Sequence, residues 1–95
     1  MYASFIETNM KPGTSAEGTE MAESMKSDLA QVDGLRQFIM IDKGDDNSVV
    51  IALYDSAEDQ VAAGPQAAEL LSRFAGLLAE PPERNQVEVP INFIF

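Results

Sequence analysis

The chain has 95 residues, 45% of them apolar and 23% charged, with 16 acidic against 6 basic side chains and a net charge of −10. That size and composition predict one globular domain over residues 1–95, and an acidic surface with no basic stripe excludes nucleic-acid and anionic-membrane binding. Cysteine and histidine are both absent, which excludes disulfides, thiol nucleophiles, Cys/His zinc sites, His-based triads and haem axial histidines. No basic segment leads into an apolar signal core, and no apolar run approaches membrane-spanning length, so a soluble, cytoplasmic protein is expected.

Residues 2–10 mix aromatic, β-branched and polar side chains over strand length, and Lys11-Pro12-Gly13 stops them. After a polar connection over 14–18, with Thr19 or Ser15 as caps, the apolar spacing turns helical. Met21, Met25, Leu29 and Val32 recur along one face of a helix that starts at residue 20 and that Gly34 closes in a left-handed turn. A second strand is predicted over 35–42 and a third over 49–54, joined by turn chemistry at 43–48 in a loop longer than the tight two-residue form. The acids of that loop lack the ligand spacing, glycine and terminal glutamate of a calcium loop.

Ser56 caps the next helix, with Glu58 and Asp59 at the positive end of its dipole. Two turns over 57–63 meet a break at Gly64-Pro65, and a stronger amphipathic helix follows over 66–79. Pro81-Pro82 ends it, and residues 87–95 alternate as a last strand with Pro90 at an edge or bulge. The order β-α-β-β-α-β predicts an α+β, ferredoxin-like plan: a four-stranded antiparallel sheet with two helices on one face.

Both phases of the second and third strands are apolar. Leu35, Ile39 and Ile41 oppose Phe38 and Met40; Val49, Ile51 and Leu53 oppose Val50, Ala52 and Tyr54. Helices can cover one face only, so the other is expected to meet a second copy in a sheet-to-sheet homodimer.

The Lys11-Pro12-Gly13 stop, the Asp33-Gly34-Leu35 lead-in, the passage Leu53-Tyr54-Asp55-Ser56-Ala57-Glu58 and the final strand together carry a family likeness. The chain resembles, over essentially its whole length, the antibiotic biosynthesis monooxygenase-like group of dimeric α/β barrels. That resemblance implies a pocket between sheet and helices. In some members the pocket serves the oxidation of hydroquinones or anthrones by molecular oxygen without a cofactor; other members cleave haem. The haem-cleaving residues (an Asn, a Trp and a His) are replaced here by Ile6 or Glu7, by Ala63 and by Arg73. The resemblance therefore implies neither haem nor any other cofactor, and no metal.

Asn9 and Tyr54 are the catalytic candidates, an amide to orient a phenol or peroxide and a phenol to hydrogen-bond a ligand oxygen. The competing roles are a strand-end surface residue for Asn9 and core packing for Tyr54. Arg36 and Arg73 are candidates to bind an enolate, phenolate or carboxylate, with surface ion pairing as the alternative. Phe38 is a substrate-contacting or core residue, and Glu7 a base only if buried. Three functions follow: a cofactor-independent monooxygenase acting on a small phenol or enol, a binder of a small apolar molecule, or a dimer with a filled interior.

Overall fold

The computed structural model describes residues 1–95. Its sheet has four strands in the order β2-β3-β1-β4, all pairings antiparallel: β1 is Tyr2–Asn9, β2 Leu35–Gly44, β3 Asn47–Tyr54 and β4 Glu83–Glu88. Between β1 and β2 lie α1 (Ser15–Ser24) and α2 (Lys26–Leu29); between β3 and β4 lie α3 (Ala57–Ala62), α4 (Gly64–Ser72) and a 3₁₀ turn over Ala75–Leu77. This is the ferredoxin-like plan, with the first expected helix divided in two and the second region divided at the break expected beside Gly64-Pro65.

The first division falls at Met25, where one residue ends α1 and opens α2 and buries its side chain to 2% exposure. The helix also begins earlier than the apolar pattern indicated. Residues 15–18 are its first turn, because Gly18 packs against Met10 on its inner face and needs no apolar side chain there. Neither expected cap acts as one: Ser15 donates to the Asp46 carboxylate at 3.0 Å and Thr19 to the Ser15 carbonyl at 3.2 Å. The second division falls at Ala63, just before Pro65, whose missing N–H is harmless in the first turn of α4. Ser56 does cap α3, accepting from the Asp59 N–H at 3.1 Å.

The β2–β3 connection is tighter than expected. Gly44 pairs with Asn47 across Asp45 and Asp46, which take positive φ of 54° and 60°. Two successive left-handed residues make the turn that matches strand twist, and aspartate tolerates that conformation. The Asp46 side chain then ties the hairpin to the Gly13 N–H and to Ser15.

One phase of the sheet packs on the helices. Ala52 and Tyr54 share a buried cluster with Met25, Val32, Ala63 and Leu70, against which Leu35, Phe38 and Phe74 also pack. Leu35 belongs to this face although sequence spacing set it with Ile39 and Ile41. The register slips between Leu35 and Gln37, and the extra residue, Arg36, reverses the phase. The opposite face, carrying Phe5, Ile39, Ile51 and Val87, has no helix over it; Phe5, Ile39 and Ile51 are half-buried and Val87 is 43% exposed.

The last strand is displaced from its predicted place. β4 ends at Glu88, opposite Tyr2 at the start of β1, so the alternating stretch 89–95 lies outside the sheet.

Gly34 has φ +79°, and a Cβ there would stand 2.5–2.6 Å from Asp59 side-chain carbons in the first turn of α3. Gly34→Ala is expected to destabilise by about 1–2 kcal/mol from the backbone alone. Each kcal/mol lowers Tm by roughly 4–8 °C in a thermal melt of a domain this small.

Candidate functional site

Between the helix-facing side of the sheet and the helices lies a cavity of about 60 Å³, lined mostly by apolar side chains. Its floor alternates along the strands, Ser4, Ile6 and Thr8 on β1 beside Ala52, Val50 and Ser48 on β3, with Phe38 and Met40 on β2. Its roof is Met25 and Leu29 of the first helical pair with Val32 just beyond it, and Leu70 and Leu71 of α4 with Phe74 just beyond it. The strand period sets every second residue into the space, and the helix period returns one side chain per turn.

Polar groups enter this lining at few places, and one cluster stands out. Arg84 on β4 is half-buried, donates from Nη2 to Ser4 Oγ at 3.2 Å, and forms no salt bridge; its Nε is buried without a hydrogen-bond partner. Gln60 of α3, 1% exposed, donates from Nε2 to the Ala3 carbonyl at 2.9 Å and to Ser4 Oγ at 3.0 Å, while its Oε1 has no partner. Ser4 thus accepts from both neighbours and retains its own hydroxyl proton to give. Tyr54, 3% exposed, lines the same cavity, and its phenol is held protonated by burial against the opposing pull of the Arg84 charge. A second hydroxyl pair, Thr8 and Ser48 at 2.5 Å, stands further along the floor. No acidic side chain reaches the lining.

Of the residues singled out from sequence, Tyr54 and Phe38 face this cavity. The other three stand elsewhere. Arg36 makes a bidentate pair with Asp55, Nε at 2.8 Å from both carboxylate oxygens and Nη2 at 2.5 Å from Oδ2. That contact holds the exposed Asp55 carboxyl below its ordinary range. Arg73 pairs with Asp28 at 2.7 Å and with Glu69 at 3.2 Å on the helix surface. Asn9 lies exposed at the end of β1, donating to the Glu80 carboxylate at the rim of a polar hollow it shares with Glu7, Lys43 and Glu83. No group of His, Cys, Asp or Glu comes together in a way that could hold a metal ion, and no helix is long and apolar enough to cross a membrane.

The residue that sequence reading passed over is Arg84. It falls in the polar stretch 83–86, just before the strand expected over 87–95. Continuing the alternation of Val87 two residues back would have put Asn85 on its face and Arg84 on the other.

No family model matches the chain, and neither does any curated protein. Solved structures do. A protein of unknown function from Nitrosomonas europaea superposes with a TM-score of 0.82 at 22% identity, over 98% of this chain and 92% of its own. A candidate antibiotic biosynthesis monooxygenase from the same organism gives 0.79 at 17% identity, over 96% and 100%. The fold is the antibiotic biosynthesis monooxygenase-like fold. MhuD, solved with two manganese protoporphyrin IX molecules per active site, shares it at a TM-score of 0.78 and 15% identity over the full length of both chains. At these identities the likeness concerns backbone architecture, and the chemistry has to be argued from the side chains.

Burial raises the Tyr54 phenol above its ordinary 10.0. The unfolded chain therefore loses that proton first, so Tyr54 contributes stability that is complete below pH 10 and lost as pH rises through its folded value. In urea unfolding, the wild type should lose stability between neutral pH and pH 11 by more than Tyr54→Phe does.

Proposed function

We propose that the sheet–helix cavity binds a small phenol or enol as its anion at Arg84 and that the protein, as a homodimer through its open sheet face, oxidises this substrate with molecular oxygen and no cofactor. The observation that carries the reading is an arginine without a carboxylate partner in an apolar lining, in a chain with 16 acidic side chains. The other two arginines are neutralised on the surface.

Two unit charges about 4 Å apart attract by about 4 kcal/mol at an effective dielectric of 20. That is about three pKa units of help toward deprotonating a phenol, less the desolvation of the phenolate itself. Ser4 adds a hydroxyl proton, and Tyr54, kept neutral, is a donor and not a base. With no carboxylate in the lining, the substrate proton passes to solvent and Arg84 stabilises what remains. The anion then supplies the electrons. An anthrone methylene becomes a carbonyl: one atom of the oxygen molecule enters the product, and the other leaves as water with the remaining methylene hydrogen and a proton returned from solvent.

The cavity has about 60 Å³, the share of about two water molecules. A ring therefore enters only as Met25 and Met40 swing aside, movements that unbranched thioether side chains allow. The same small volume favours a second reading, a packed, non-catalytic dimer or ligand carrier.

Oxygen uptake with anthrones and hydroquinones separates them. Catalysis should exceed spontaneous autoxidation, and Arg84→Ala should lower kcat/KM by about 100-fold, with part restored in Arg84→Lys. Uptake equal to buffer, with the compound recovered unchanged, supports the non-catalytic reading.

A further inference from the structure

Gln60 of α3 stands behind Ser4 and takes no part in the cavity wall, although Ser4 does. It is 1% exposed, and its Oε1 has no hydrogen-bond partner. A buried, unpaired carbonyl oxygen costs stability that an apolar side chain of the same length would not lose, so packing alone does not account for a glutamine here. Its amide nitrogen makes both of the side chain's bonds, to the Ala3 carbonyl at 2.9 Å and to Ser4 Oγ at 3.0 Å. The Ala3 carbonyl decides which way the amide lies. Turned over, the amide would set Oε1 against that carbonyl oxygen and would offer Ser4 an acceptor in place of a donor.

Ser4 Oγ has two lone pairs, and both are taken, one by Gln60 Nε2 and one by Arg84 Nη2 at 3.2 Å. Its hydroxyl proton is the part left over, on a side chain that is 1% exposed and lines the cavity. We propose that Gln60 is a positioning residue: without meeting the substrate, it holds Ser4 as a donor, and so makes the site accept an ionised oxygen in preference to a neutral hydroxyl. The inference rests on the anion site proposed above at Arg84 and names what selects the ionised form there.

An ionised oxygen accepts from Arg84 and from Ser4 together, with both donors already aimed. A neutral phenol can accept from them too, but its own proton then stands among donors and lacks an acceptor. Arg84 and Tyr54 are the titratable side chains of the lining, and no carboxylate joins them to take that proton. Discrimination comes from the unpaired proton of the wrong form as much as from the contacts of the right one.

An absorbance titration with para-nitrophenol, yellow as the anion and colourless as the neutral phenol, tests this near the pH of its half-ionisation. The wild type should bind the yellow form. Gln60→Met keeps the length of the side chain and frees the Ser4 hydroxyl to turn; it should weaken anion binding about 10-fold, the loss of one hydrogen bond to a charged group. Ser4→Ala should lose as much, and the double variant no more than either single one, because both changes remove the same interaction. Gln60→Glu has the shape of the original and points an acceptor at Ser4, so it should abolish binding of the yellow form even where Gln60→Met fails to fold. Binding of the anion as tight as wild type in either Gln60 variant overturns the inference, and so do single losses that multiply in the double variant. Arg84→Ala would still lose the anion in those cases, leaving the site itself standing. A wild type that takes up no anion, or that binds it equally well as Arg84→Ala, overturns the site and the inference together.

Discussion

Every structural feature here follows from β3, whose residues are apolar on both sides of the sheet. Val50, Ala52 and Tyr54 meet the helices, while Val49, Ile51 and Leu53 face the other way. A strand of this composition needs cover on two faces, and the helices of one chain supply only one. On the covered side the result is a core with a small apolar cavity in it. The side without helices is the one assigned to the proposed homodimer, and the apolar residues beyond β4 continue its phase. On that side Val49 and Leu53 are already buried within the single chain, and Phe5, Ile39 and Ile51, half-buried, are the apolar surface left to cover.

Charge distribution sharpens the site. Surface acids take up Arg36 and Arg73, in exposed pairs that water and salt screen. Arg84 escapes because its strand carries it to the cavity wall, where its neighbours are Ser4 and the ring of Tyr54 and no carboxylate reaches. A guanidinium in that position has given up part of its water without gaining a counterion. The deficit is what a bound anion would relieve.

Much of this fold was legible in the sequence, and the misses have particular causes. Strands with a clear two-residue period, such as β1 and β3, were placed to within a residue or two, and the Ser56 cap and the Gly34 turn were found from their side-chain chemistry. The hairpin turn was missed because Asp45 and Asp46 adopt positive φ without the glycine that usually signals it. The face of Leu35 was missed because a bulge at Arg36 leaves no trace in hydrophobic periodicity. β4 was sought in the apolar alternation of 87–95, whereas pairing length along β1 selects the polar stretch Glu83–Glu88. Arg84 was lost with that strand. Tyr54 and Phe38 lie among apolar neighbours on the helix-facing side, one of the two faces their spacing left open, and no sequence pattern says which of three arginines will lack an acid beside it.

The most direct test of the account is the side-chain Nε–H resonance of each arginine in ¹⁵N-labelled protein, followed as a hydroquinone or phenolate is added. The arginines are Arg36, Arg73 and Arg84, so three signals cover them all. The account predicts that the Arg84 resonance shifts in saturable fashion while those of Arg36 and Arg73 hold still. A titration that moves none of them, or moves the two surface arginines as much as Arg84, would contradict it.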